Sequence, residues 1–150
     1  RVREEPLIRT HSPYDLRFTQ SHVWARSEPN GVVAVGLSDF GQRSLGTILH
    51  VAGPRVGDRI DAGAPAGWLD SYRKTFEIAS PLAGEVVEVN GESAKAPATI
   101  NAYPYSVTGL FKLRASNPRE YESLMSFADY MEFTAELGRY DRWSQEKRVF

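Results

Sequence analysis

The clearest structural pattern in the sequence is Gly67-Trp68-Leu69-Asp70-Ser71-Tyr72-Arg73-Lys74-Thr75-Phe76-Glu77-Ile78-Ala79-Ser80-Pro81-Leu82-Ala83-Gly84-Glu85-Val86-Val87-Glu88-Val89-Asn90-Gly91. Its first half has a polar centre, Ser71 to Lys74, between apolar flanks, and it has neither a helix cap nor a 3.6-residue repeat. This pattern predicts an exposed hairpin tip between two half-buried strands. The valine-rich second half, which ends at the turn dipeptide Asn90-Gly91, predicts a further strand. Arg73 and Lys74 stand side by side at the predicted tip, and their placement there is the main functional question.

The composition is that of an ordinary globular domain. The chain has 150 residues, of which 41% are hydrophobic and 25% are charged, and its formal net charge is −1. This length favours one domain with a core of its own, and the near-neutral charge does not favour a nucleic-acid partner. The chain has no cysteine, which excludes disulfides, thiolate metal sites and a cysteine nucleophile. Its apolar runs are only a few residues long, so we expect no membrane insertion.

Turn and cap signals divide the first half of the chain into short elements. Residues 1–13 lack periodicity and are predicted to form an N-terminal arm. Asn30-Gly31 favours a tight turn between two strands. Ser38 and Gly46 are typical N-cap and C-cap residues, and they predict a short helix between them.

In the second half, we expect a polar loop from Asn90 to Thr99. Ser116-Asn117-Pro118 predicts the start of a helix, and Gly138 is a natural stop for it. The buried face of this helix is predicted to carry Tyr121, Leu124, Met125, Ala128, Tyr130 and Met131. The interpretation is an N-terminal arm (1–13), one domain (14–137) and a charged, aromatic tail (138–150). Short strands followed by a helix favour a small β-barrel or sandwich with a helical cap.

The order of several short motifs resembles that of the H protein of the glycine cleavage system, a member of the lipoyl-domain group. The resemblance runs from about Phe18 to about Leu137. Its anchors are His22-Val23-Trp24, Val35-Gly36-Leu37-Ser38 with Leu45-Gly46, Val56-Gly57, Ala62-Gly63, Asp70-Ser71, Ser80-Pro81, Gly84-Glu85-Val86, Asn101, Pro104-Tyr105 and Gly109. Each motif is short, and it is their common order and spacing that identify the family.

The resemblance implies a mainly β fold, an H-protein-like hybrid barrel-sandwich with a short helix after the first hairpin and a C-terminal helix. It also implies a carrier role. In the family, a lipoyl group joined by an amide to one hairpin lysine carries an aminomethyl unit between glycine decarboxylase, an aminomethyltransferase and dihydrolipoyl dehydrogenase. The cofactor supplies the chemistry and the protein supplies its position. No catalytic residues of the chain's own are therefore expected.

The hairpin departs from the family pattern at the attachment position. Six residues after the matched Gly67, the family has its lipoyl lysine, and this chain has Arg73. A guanidinium stays protonated and does not accept an acyl group. Lys74 is the neighbouring candidate, but a one-residue shift along a strand points a side chain to the opposite face, although at a tight tip this alternation is less strict. Other hairpin residues that distinguish the site are Asp70, Ser71, Tyr72 and Phe76, and we expect Tyr72 and Phe76 to make the tip aromatic.

Two functions follow. In the first, the chain is a divergent module without lipoate that serves as a binding or scaffold subunit of a larger assembly. Arginine and aromatic residues are typical interface anchors, and the candidates in the tail are Arg139, Tyr140, Arg142, Trp143 and Phe150. In the second, Lys74 carries lipoate and the chain is a swinging-arm protein, either for glycine cleavage with the three partners named above or for another lipoate-dependent pathway.

An enzyme is not favoured, because nothing in the sequence assembles a catalytic set. His11, His22 and His50 are far apart and lack metal-ligand spacing, so we expect no metal. His22 is interpreted as a structural residue, and His50, which lies in an apolar strand, is expected to pack against the core. A cytoplasmic location is expected, or the mitochondrial matrix if an upstream transit peptide has been removed.

Overall fold

The computed structural model describes residues 8–148, with side chains described as far as Gly138. Nine strands and four α-helices lie within this part of the chain. The strands are β1 (Arg17–Phe18), β2 (Val23–Ser27), β3 (Val32–Leu37), β4 (Ile48–Ala52), β5 (Arg59–Ile60), β6 (Pro65–Ser71), β7 (Thr75–Ala79), β8 (Gly84–Val89) and β9 (Phe111–Ala115). The α-helices are α1 (Asp39–Leu45), α2 (Gly91–Lys95), α3 (Ala98–Ala102) and α4 (Phe127–Arg148), and 3-10 turns span Pro13–Asp15, Pro29–Gly31 and Pro118–Ser123.

The strands form two antiparallel sheets. One sheet has six strands in the order β1-β2-β3-β9-β8-β5, and the other has three in the order β4-β6-β7. A core of aliphatic side chains from both sheets includes Val35, Leu113, Leu69 and Ile78, all at most 1% exposed. The expected mainly β architecture with a C-terminal helix is therefore confirmed.

A second buried cluster joins α4 to β1 and β2. Phe18 of β1 stacks on Tyr130 of α4, with ring centroids 4.5 Å apart. Trp24 of β2 is fully buried and its indole Nε1–H donates to the carbonyl of Pro104 over 2.8 Å. A side chain at Gly36 would collide with the Trp24 ring. This cluster covers the face of the larger sheet that is opposite the main core.

In the first half of the chain, the structure contains the turn and the short helix that the sequence predicts. Asn30 and Gly31 both adopt positive φ, 66° and 73°, between β2 and β3. The Ser38 Oγ accepts from the N–H of Gly41 over 3.0 Å at the start of α1. Gly46 ends α1 with φ 76°, a conformation that glycine adopts without a Cβ penalty. None of the helices in residues 8–148 is long and apolar enough to cross a membrane.

The prediction of a polar loop from Asn90 to Thr99 was wrong. This segment forms α2 and the beginning of α3. The Asn90 carboxamide oxygen caps α2 by accepting from the N–H of Glu92 over 3.0 Å. Ile100 of α3 is buried. A side-chain cap on α2 and one buried apolar residue on α3 therefore stabilise helices that are too short to show a sequence period.

The prediction for the C-terminal helix was wrong at both ends. Asn117 caps a turn as expected, with its Oδ1 3.1 Å from the N–H of Arg119, but this turn is 3-10 and ends at Ser123. Met125 then pairs with Phe18 in a β-bridge, and α4 begins only at Phe127. It also continues past Gly138 to Arg148, since a single interior glycine costs a helix only about 1 kcal/mol.

The predicted buried helical face is correspondingly divided. Tyr121, Leu124 and Met125 precede α4, and they are partly buried rather than aligned on it. Ala128 and Met131 are exposed on α4, whereas Tyr130 is 1% exposed. The six residues therefore belong to three consecutive local structures, which only tertiary contacts distinguish.

Candidate functional site

The hairpin tip is a four-residue turn from Ser71 to Lys74 that joins β6 to β7. The N–H of Ser71 donates to the carbonyl of Lys74 over 3.0 Å. The Ser71 hydroxyl lies under the turn, where it accepts from the N–H groups of Arg73 and Lys74 over 3.2 and 3.3 Å and donates to the Lys74 carbonyl over 3.1 Å. Tyr72 and Arg73 are consequently the two central residues of the tip, and Lys74 closes the turn immediately before β7.

The Arg73 side chain folds back onto helix α1. Its Nη1 donates to the carbonyl of Ser44 over 3.3 Å, and Ser44 lies in the last turn of α1. The end of a helix presents unpaired carbonyls and the negative end of the helix dipole, both of which favour a cation. The tip residue is therefore exposed but bound within the chain.

The platform on which Arg73 rests is fixed by Asn101 of α3. The Asn101 Nδ2 donates to the Gly46 carbonyl over 2.8 Å and to Gln42 Oε1 over 3.0 Å. Its Oδ1 accepts from the N–H of Ile48 over 3.0 Å. One side chain thus joins α1, the connection after it and β4. The sequence singles out Asn101 as a motif residue, but its role depends on partners more than 50 positions away.

The Lys74 side chain is exposed, and its amine makes no hydrogen bond or ion pair within the part of the chain that the structure describes. It nevertheless acts on His22. Burial first, and then the positive charge of Lys74, lower the pKa of His22 below its usual value.

His22 itself belongs to a buried hydrogen-bonded chain. Its Nδ1 and the Ser38 Oγ each lie 2.7 Å from the hydroxyl of Tyr130. Burial raises the pKa of Tyr130 to about 12, although the hydrogen bond from Ser38 opposes this. His22 has a positive φ of 68°, a conformation more common for histidine than for most residues. The three side chains tie α4 to the edge of the barrel near the hairpin.

The other hairpin residues divide between the surface and the core. Tyr72 is 84% exposed at the tip. Asp70 accepts from the Thr75 hydroxyl over 2.7 Å across the last strand pair. Phe76 is partly buried against the main core, so the prediction that it makes the tip aromatic was wrong. It pairs with Leu69, which faces inwards, and strand alternation takes it away from the surface.

Comparisons with known proteins identify the family. A family model described as glycine cleavage H-protein matches residues 16–137. The chain is 43% identical over 119 residues to the glycine cleavage system H protein of Edwardsiella ictaluri, which covers 79% of this chain and 93% of that protein. It is 42% identical over 118 residues to glycine cleavage system H protein 2 of Pseudomonas aeruginosa, with 79% and 91% covered.

A solved glycine cleavage system H protein from Mycobacterium marinum has the same fold. It superposes with a TM-score of 0.73 at 27% identity, over 85% of this chain and 99% of that one. The chain belongs to the glycine cleavage H-protein family. Members of this family are lipoyl carriers without a catalytic site of their own, and they work with glycine decarboxylase, aminomethyltransferase and dihydrolipoyl dehydrogenase.

The central residue of the tip does not fit the family's cofactor. A lipoyl amide needs a primary amine, and Arg73 presents a guanidinium that is bound to the Ser44 carbonyl. The next residue, Lys74, has a primary amine, and its side chain is exposed.

The histidines do not assemble into a site. His50, expected in the core, is exposed on β4, where a bulge between Ile48 and His50 shifts the strand register. That prediction was wrong. His11 lies in the arm, where its N–H donates to the Tyr105 carbonyl over 2.7 Å and its ring packs edge-on against Trp24. Within the described residues, no group of three side chains could hold a metal ion.

The predicted interface residues lie largely beyond the described side chains. The backbone of α4 includes Arg139, Tyr140, Arg142 and Trp143, but their side chains are outside the described part. Phe150 is outside it altogether, as are residues 1–7. The division into arm, domain and tail therefore stays a prediction, and the described end of the arm is attached by Val107, whose N–H donates to the Arg9 carbonyl over 2.9 Å.

Proposed function

We propose that this chain is a divergent glycine cleavage H-protein-like module that carries no lipoate and serves as a non-catalytic binding or scaffold subunit of a larger assembly. The observation that carries the proposal is the residue at the tip. Arg73 occupies one of the two central positions of the hairpin turn, and it has no acyl-accepting amine. Arg73 follows Gly67 by the six residues at which the family has its lipoyl lysine, so in this proposal the change removes the attachment chemistry and retains the spacing.

Two contacts support this reading. The Arg73 guanidinium is bound to the last turn of α1, which gives arginine a structural role at the position. Lys74 closes the turn with Ser71 and precedes β7. A ligase that recognises the central residues of this turn would meet Tyr72 and Arg73 rather than the Lys74 amine.

The second candidate function is a working carrier with lipoate on Lys74. It is favoured by one observation: the Lys74 amine is exposed and makes no hydrogen bond or ion pair within the described residues. In that case the partners would be glycine decarboxylase, aminomethyltransferase and dihydrolipoyl dehydrogenase. For either function we place the protein in the cytoplasm, since the relatives named above come from bacteria.

The deciding experiment is the intact mass of the protein from its native source, followed by a peptide map across Gly67–Pro81. We expect an unmodified peptide under conditions in which other lipoyl proteins of the same cells are modified. A lipoyl group on Lys74 would overturn the proposal in favour of the carrier.

Two variants test whether the arginine at position 73 is the reason that the hairpin carries no lipoate. Arg73→Lys combined with Lys74→Ala restores the family pattern, and we expect a lipoyl ligase to modify this variant and not the wild-type chain. Modification of the wild type that is lost in Lys74→Ala would again identify a carrier. For the scaffold role we propose the tail as a contact surface, so that Trp143→Ala should weaken binding to whatever partner co-purifies.

A further inference from the structure

The outer face of the three-stranded sheet carries an exposed tryptophan. Leu69 at the centre of β6 is fully buried, and side chains alternate along a strand, so Trp68 and Asp70 point to the opposite, solvent face. Trp68 is 46% exposed. Its cross-strand neighbours are Ala52 on β4 and Glu77 on β7. The small alanine leaves the indole open on one side, and the glutamate lies directly beside it on the other.

The charged side chains on this face are two carboxylates, and the exposed cross-strand neighbour of Asp70 on β4 is His50. Neither Asp70 nor Glu77 forms an ion pair with any residue in the described part of the chain, and Asp70 accepts only from the Thr75 hydroxyl. Arg73 is bound to the last turn of α1, and within the described residues Lys74 forms no ion pair with either carboxylate. An indole with Glu77 directly across the strand pair and Asp70 two residues along the same strand attracts a cation through both the ring quadrupole and the charges.

The edge beside this face offers backbone groups. Strand β7 is the last strand of its sheet. The Ser71–Lys74 pair is hydrogen-bonded, and hydrogen-bonded and non-hydrogen-bonded pairs alternate in an antiparallel ladder. The pairs of Thr75 and Glu77 with β6 are therefore of the non-hydrogen-bonded kind. Their N–H and C=O groups point away from β6, towards the open edge.

We propose that this edge and face receive an extended segment of a partner protein, which adds as a strand beside β7 and carries an arginine or lysine opposite Glu77. Backbone hydrogen bonds would supply affinity and the basic side chain would supply specificity. Neighbouring strands lie about 5 Å apart, so a side chain as long as arginine that is paired with Glu77 can reach across it towards the Trp68 indole. This inference rests on the proposed function, since it names the partner chemistry of the binding module.

The test uses two blocked pentapeptides, Thr-Val-Arg-Val-Thr and the same sequence with the neutral isostere citrulline in place of arginine. Each is titrated into the unmodified, nitrogen-15-labelled full chain. We expect the arginine peptide to shift the amide signals of Thr75–Ala79 and the indole N–H of Trp68, the latter assigned from its loss in Trp68→Phe. We expect the citrulline peptide to bind about fivefold more weakly or worse.

Variants separate this face from general charge attraction. Glu77→Gln and Asp70→Asn should each weaken the arginine peptide, whereas Glu92→Gln, which removes an exposed carboxylate on α2, should leave its affinity unchanged. Equal binding of the two peptides overturns the proposal. So does the absence of shifts at β7 and Trp68 at a peptide concentration on the order of 10 mM.

The same spectra would also reveal a second copy of the chain bound at the edge of β7. If the same signals shift with protein concentration alone, the edge pairs with a second copy of the chain, and the proposal of a basic partner segment fails. The outcome is independent of the mass measurement. Lipoate on Lys74 would contradict the proposed scaffold function without changing the result of the peptide titration. If the β7 signals do not shift in the titration, this inference fails even when the hairpin is unmodified.

Discussion

Tryptophan and tyrosine side chains are buried in one part of the protein and exposed in another. The cluster between α4 and the larger sheet contains a fully buried tryptophan, Trp24, and a tyrosine that is 1% exposed, Tyr130. The three-stranded hairpin sheet presents Trp68 at 46% and Tyr72 at 84% exposure. Each region also has a histidine, His11 against Trp24 and His50 on the open face of β4.

The difference lies in what satisfies the polar end of each side chain. In the buried cluster, the Trp24 indole N–H has the Pro104 carbonyl and the Tyr130 hydroxyl has Ser38 and His22. In the hairpin sheet, such groups face solvent. Aromatic residues in the first region therefore stabilise the fold, whereas those in the second are available to a partner. Three matched pairs of substitutions test this contrast.

The largest effect is expected from the tryptophans. Trp24→Ala removes a fully buried ring and its hydrogen bond, and it should lower the free energy of unfolding by about 3–5 kcal/mol. Trp68→Ala removes a ring that is already half in water, so we expect a loss of roughly 1 kcal/mol or less. Urea unfolding followed by circular dichroism measures both. Similar losses in the two variants would contradict the assignment of the regions.

The tyrosines should give an intermediate effect. Tyr130→Phe keeps the stacking on Phe18 but leaves Ser38 and His22 without the hydroxyl that lies 2.7 Å from each. Losing a buried partner costs about 1–3 kcal/mol. Tyr72→Phe, at the exposed tip, should leave the urea midpoint unchanged. If Tyr130→Phe is as stable as the wild type, the hydrogen-bonded chain through His22 has no stabilising role.

The hairpin could be predicted from sequence because its determinants are local. A polar tip between apolar flanks, the Ser71 hydroxyl under the turn and the alternation of Trp68, Leu69 and Asp70 all act within a few residues. The same holds for the Ser38 cap and for Gly46. The position of Arg73 at the tip follows from the same local spacing, and its bond to Ser44, 29 positions away, does not.

The remaining features depend on contacts between distant segments. The sequence pattern places Met125 among the apolar residues of a helix. In the structure it forms a β-bridge to Phe18, 107 positions earlier, and α4 begins only after this bridge. Tyr130 is the buried residue of that helix, and its hydroxyl contacts Ser38 and His22. The periodicity of the sequence cannot indicate these contacts. The apolar sequence around His50 predicts a position in the core. A bulge between Ile48 and His50, which the sequence does not indicate, exposes the side chain instead.

The histidines should give the smallest effect, seen as a pH dependence. The His11 Nε2 is buried and has no hydrogen-bond partner among the residues that the structure describes. Burial first, and then the charge of Arg26, lower the pKa of His11, although Glu28, the backbone of Val107 and Asp15 oppose this. The folded state then binds fewer protons than the unfolded state, whose histidine titrates at about 6.5. This contribution to stability is complete above that pH and is lost as the pH falls below it, until the lowered pKa of the folded state is reached.

Urea midpoints measured between pH 7.5 and pH 5 isolate this term when two variants are compared. His11→Asn should reduce the fall in stability towards acid pH, because the unpaired buried imidazole is gone. His50→Asn is the matched substitution on the exposed face of β4. His22 also titrates with a lowered pKa, so some slope should remain in His11→Asn. A slope in His11→Asn equal to that of the wild type would contradict the destabilising role of the buried imidazole.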